Sequence, residues 1–77
     1  MRQVVEYAEL VAIDKDHGMF AVRVSRTTLW VEKVPEAMLC KIATAFGKRV
    51  SVYWNEDDVI ECVRIPDGDG DMITVKP

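Results

Sequence analysis

The chain has 77 residues, is 49% apolar and 30% charged, and carries 13 acidic and 10 basic side chains for a net charge of −3. That balance excludes the disordered class, and the missing cationic excess excludes the broad basic footprint of a non-specific nucleic-acid binder. A chain this short covers only about 60–65% of the surface its unfolded form exposes, which leaves room for one core and a shallow groove but not for an enclosed catalytic pocket beside it.

Residues 4–13 read as a long first strand, rich in β-branched and aromatic residues and free of breakers. Its alternation is imperfect. Val5, Tyr7, Val11 and Ile13 share one parity and Leu10 has the other, so a bulge is expected near Glu9. Asp14 to Gly18 form a turn, with Asp supplying side-chain hydrogen bonds and Gly a positive φ. From Met19 to Arg26 the chain alternates cleanly, placing Phe20, Val22 and Val24 inward and Ala21, Arg23 and Ser25 outward. A third strand, Leu29 to Lys33, is expected to face Leu29 and Val31 inward and Trp30 and Glu32 outward.

The helix is predicted over 35–46. Pro35 suits the first helical position, and Glu36 faces the positive end of the helix dipole. Leu39, Ile42, Ala43 and Phe46 make the stripe of a helix with one buried face, and Gly47 is the expected stop. A fourth strand runs from Arg49 to Asn55 with Val50, Val52 and Trp54 inward. After the polar turn Asn55-Glu56-Asp57-Asp58, a fifth strand is expected to place Val59, Val63 and Ile65 inward, and Ile60, Cys62 and Arg64 outward. Pro66 ends it, so the domain is read as residues 1–66. Residues 67–77 are read as an acidic, Gly-rich turn too flexible to pack, followed by a tail or a short extra strand over 72–75.

Three strands, a helix and two strands supply more inward apolar positions than one flat sheet covers with one helix, so the sheet is expected to curl or close. In this order of elements, residues 4–65 resemble a small five-stranded barrel of OB type, a Greek key with its helix between the third and fourth strands. An SH3-like barrel and an open antiparallel sheet with one helix are the alternatives.

The OB resemblance implies a ligand face on the outside of strands two and three. Arg23 and Trp30 fall there, with Arg26 at the strand end, and Arg49 and Tyr53 project outward from strand four. Aromatic rings interleaved with guanidinium groups are what single-stranded nucleic acid needs, for stacking and for phosphate contact. Glu32 shares the parity of Trp30 and tempers that patch. The same aromatics also suit a packing role or a protein contact, since Trp and Tyr often anchor interfaces.

Other candidate sites lack the parts their chemistry requires. Asp67, Asp69 and Asp71 open like a calcium loop, yet Met72 stands where glycine belongs and no bidentate glutamate follows. His17 is the only histidine and sits in a polar turn, and Cys40 and Cys62 have no C-x-x-C spacing. Phosphate loops, nucleophile elbows and paired catalytic carboxylates do not occur. No catalytic residue, metal or cofactor is therefore expected. No signal peptide or membrane span is read, and two reduced thiols fit a cytoplasmic protein. The sequence thus points to a non-catalytic binding module for a protein partner or a second copy of itself, with single-stranded nucleic acid as the alternative ligand.

Overall fold

The computed structural model describes residues 3–68 and 70–77. Among them the chain forms β1 (Gln3–Asp14), β2 (Met19–Val24), β3 (Thr27–Val31), α1 (Glu36–Ala43), β4 (Arg49–Trp54), β5 (Ile60–Pro66) and β6 (Met72–Val75). The strands make one antiparallel sheet in the order β3-β2-β1-β4-β5-β6. The mainly-β class with a single helix agrees with the sequence reading, but the closed barrel does not. The sheet is open: β3 and β6 each have one unpaired edge, and β6 occupies the side of β5 that ring closure onto β3 would need.

Strand β1 bends twice. Between Val5 and Ala8 it carries one residue more than β4, and between Leu10 and Ala12 one more than β2. Each bulge reverses the parity, so Val5, then Ala8 and Leu10, then Ile13 all reach the same face. The single bulge expected near Glu9 is therefore two bulges that flank it. Tyr7 falls in the first of them, at φ 55, and is exposed rather than inward. The bulge takes its N–H and C=O out of the ladder, and β4 side chains replace the missing partners. The Tyr7 N–H donates to Ser51 Oγ at 3.0 Å, and Arg49 Nη1 donates to the Tyr7 carbonyl at 3.0 Å.

Beyond the bends, the N-terminal half of β1 pairs only with β4 and the C-terminal half pairs mainly with β2. This offset curls the sheet until Leu29 and Trp30 of β3 border the same cleft as Gln3, Val4 and Val5. Inside the curl lie Leu10, Phe20, Val22, Val31, Val50, Val52, Val63 and Ile65, each with almost no exposed surface. Burying a side chain of this kind stabilises by about 1.5–3 kcal/mol.

The helix covers the core with Met38, Leu39 and Ile42 and approaches β6 more closely than any other strand. Pro35 stands just before the helix, with ψ 145, and its carbonyl accepts from the Leu39 N–H. The helix is shorter than predicted, and Phe46 is exposed, not part of the buried stripe. After Ala43 the chain tightens into i→i−3 bonds, with the Ala45 N–H donating to the Ile42 carbonyl. Three residues per turn bring Ala45 over Ile42 and swing Phe46 away. The lead-in to the helix is tied to the β1–β2 turn, where the Val34 N–H donates to the Gly18 carbonyl at 2.9 Å. Gly18 has φ +62, and a Cβ there would lie 3.1 Å from the Val34 carbonyl oxygen.

Three further expectations are corrected. Val24 and Leu29 have inward parity but are partly exposed, because β3 has no strand beyond it and Val24 borders the hairpin turn. On β5 the inward set is Ile60, Val63 and Ile65, whereas Val59 is exposed. The cause is a one-residue bulge at Glu61: Tyr53 opposes Cys62 while Trp54 opposes Ile60. The acidic segment after Pro66 is a hairpin turn, with the Asp67 N–H donating to the Asp71 carbonyl and the Gly70 N–H to the Asp67 carbonyl. Asp69, named in the calcium-loop reading, lies outside the described residues. The turn delivers β6, and Val75 is buried opposite Val63.

Ser51 is the buried polar residue of the described core, so Ser51→Ala should cost about 1–3 kcal/mol by leaving the Tyr7 N–H without an acceptor. Urea unfolding followed by tryptophan emission measures it. A midpoint unchanged from the wild type would show that the bulge does not need this bond.

Candidate functional site

The cleft at the open seam is built from residues of both parities that meet where the sheet edge is left uncovered. Leu29 and Trp30 lie on edge strand β3, opposite Val22 and Ala21 of β2. The other wall comes from Gln3, Val4 and Val5 of β1, from Trp54 at the end of β4, and from Asp58 in the β4–β5 turn. The cleft is open to solvent, with a volume of about 630 Å³. Apart from Gln3 and Asp58, its lining residues are apolar or aromatic. A smaller cleft of about 280 Å³ lies beside it, where Gln3, Val4 and Trp54 meet Glu6, Tyr53, Glu61 and Cys62. Gln3, Val4 and Trp54 line both and therefore form the ridge between the two.

Four of the five candidate binding residues have outer-face parity, and one of them, Trp30, also borders the cleft at the sheet edge. Strand register places Thr28, Arg23, Glu9 and Arg49 side by side across β3, β2, β1 and β4. Trp30 shares the face of Arg23 and Thr28, and Tyr53 that of Arg49. Arg64, opposite Ser51, adds a third guanidinium to this face. Arg26 sits in the two-residue β2–β3 turn.

Glu9 stands between Arg23 and Arg49 and lies 3.8 Å from Arg23 as an exposed ion pair. Such a pair is worth about 0–1 kcal/mol, so Arg23 is tempered but not locked. Arg49 is committed to the Tyr7 carbonyl, and Tyr53 is half-buried. The sequence reading missed the cleft residues Val4 and Trp54 as a site. Trp54 was read correctly as inward, but nothing local in the sequence tells that the seam beside it stays open.

His17 is exposed, and its Nδ1 lies 2.9 Å from Asp14 Oδ2 within the β1–β2 turn. Among the described residues, no three His, Cys, Asp or Glu side chains gather as a metal site would require. Among them, too, no helix is long and apolar enough to cross a membrane. Comparison with known proteins finds no matching family model, no matching curated protein and no matching solved structure.

Both cysteines are free thiols; Cys40 is exposed and Cys62 half-buried. Burial, with the Glu61 carboxylate next to it, pushes the Cys62 thiol up, against the smaller opposing pull of Lys76 and Arg64. The folded chain thus holds this proton more tightly than the unfolded chain. Stability from this group is intact below the ordinary thiol range and falls as pH rises through it. Iodoacetamide should modify Cys40 before Cys62, and the alkylation profile of Cys62 in a Cys40→Ser variant should lie to the alkaline side of a free thiol. Equal rates at the two cysteines, read by mass spectrometry, would contradict this assignment.

Proposed function

We propose that this chain is a non-catalytic binding module of the protein-interaction or adaptor kind, which receives an extended segment along the free edge of β3. The observation that carries the reading is the juxtaposition of an unpaired strand edge with an apolar cleft holding both tryptophans. A strand added at that edge gains main-chain hydrogen bonds, and its alternate side chains enter the cleft onto Leu29, Val5 and Trp54. Trp is also among the residue types that most often dominate interface energetics.

The OB-type reading belongs to the same proposal. The order β3-β2-β1-β4-β5, with the helix between the third and fourth strands, is the element order of an OB-type chain whose ring stays open because β6 takes the free side of β5. The two free thiols support a cytoplasmic setting for the module.

A display library of random linear peptides tests the main reading. Enriched peptides should alternate apolar and polar residues, shift the tryptophan emission, and lose binding at least tenfold with Leu29→Lys. Absence of enrichment, or binding indifferent to Leu29→Lys, would overturn it.

A second reading, single-stranded nucleic acid on the outer face, is favoured by the shared face of Arg23, Trp30, Arg49 and Tyr53. It expects oligo(dT) to quench tryptophan emission at low salt, with quenching that fades as salt rises and falls sharply with Trp30→Ala. An unchanged emission spectrum at low salt would remove it.

A further inference from the structure

We propose that the segment received at the β3 edge is β3 of a second copy of this chain, paired antiparallel about a two-fold axis at Leu29. The inference rests on reading that edge as the docking surface, and it names the occupant. Three observations carry it: the direction of the main-chain groups, the charges at the strand ends, and the lack of guarding residues within β3.

Val24 opposes Thr27 across a two-residue turn. A pair that closes so short a hairpin is hydrogen-bonded, and such pairs alternate along the ladder. Thr27, Leu29 and Val31 therefore direct their N–H and C=O groups at β2, while Thr28 and Trp30 direct theirs at solvent. In the two-fold register centred on Leu29, Thr28 lies opposite the second copy's Trp30, and Trp30 opposite its Thr28. These residues carry the outward groups that need partners. Leu29 meets the second copy's Leu29 on the inner face, where each copy's apolar cleft opens.

The same register sets Arg26 opposite the second copy's Glu32, and symmetry makes the pair twice. Both side chains are exposed, and among the described residues neither has an ion-pair partner within the single chain. Sliding the register by two residues loses this match. Centred on Thr28 it sets Arg26 against Trp30, and centred on Trp30 it sets Glu32 against Thr28. Opposite charges directly across a strand pair stabilise it and the shifted registers have no such pair, so charge selects the Leu29 register.

Soluble sheet proteins guard an edge with lysine, proline or a bulge. Thr27–Val31 contains none of these and pairs with β2 without irregularity. This unguarded edge is the one that the second copy covers.

Light scattering behind gel filtration, over a range of loading concentrations, tests the proposal. The mass should rise towards twice the single-chain 8.7 kDa. Arg26→Glu and Glu32→Arg alone should each weaken the dimer by on the order of tenfold, since each places two like-charged pairs across the axis. The double exchange Arg26→Glu with Glu32→Arg should restore the wild-type mass profile. All three changes are at exposed positions outside the core, and circular dichroism verifies that each variant is folded. A wild type that stays at 8.7 kDa throughout, a dimer indifferent to the single changes, or a double exchange without recovery would each overturn the proposal. If the wild type is monomeric yet binds alternating peptides through Leu29, the docking edge stands and only the second copy is rejected. If it is monomeric and binds none, both fall.

Discussion

Two hydrogen bonds to one residue set the shape of this molecule. Tyr7 stands in a left-handed conformation inside the first bulge of β1, a geometry that costs a non-glycine residue on the order of 1–3 kcal/mol. It persists because β4 meets both of its main-chain groups, Ser51 at the N–H and Arg49 at the carbonyl. Without that bend, β1 would run straight and its inward residues would change face at Ala8. With it, one strand serves two partners and the sheet curls round its own apolar side.

The curl decides where function can lie. A sheet that closed would hide Leu29, Val5 and Trp54 in a continuous core, and a flat sheet would spread them apart. This sheet stops between the two, because β6 takes the free side of β5 and the helix lies against β6. The seam left open has apolar walls and an unpaired strand edge as its border. Arg49, by contrast, changes meaning in the structure. Its guanidinium was read as a phosphate contact, but it holds the bend of β1, so its removal would confound shape with binding.

Most elements were legible in the sequence because each has a local cause. Alternating apolar residues placed the strands, Pro35 and Gly47 bracketed the helix to within a few residues, and Asp14 to Gly18 marked the first turn. The misreadings share a different cause. Val59, Ile60, Tyr7 and Phe46 all sit beside a bulge or a tightened helical turn, where one residue of offset moves a side chain to the other face. Such offsets are fixed by pairing with a distant strand, as Ser51 fixes Tyr7 across 44 positions, and no local pattern encodes them. For the same reason the outer row of Thr28, Arg23, Glu9 and Arg49 was legible only in part. The outward parity of Arg23 and Arg49 could be read, but the carboxylate of Glu9 between them could not.

That carboxylate also bears on which face is the functional one. Nucleic acid on the outer face would have to accommodate Glu9 between its two nearest cations, and would find one of them already bonded to the backbone. An extended protein segment at the β3 edge meets no such conflict. Its main chain would bond to groups that otherwise face solvent, and its apolar side chains would cover surface that the fold leaves exposed. The edge and cleft need no rearrangement of the bend at Tyr7, whereas engaging Arg49 would disturb it. The constraint that shapes the sheet therefore favours the seam over the outer face as the proposed docking surface.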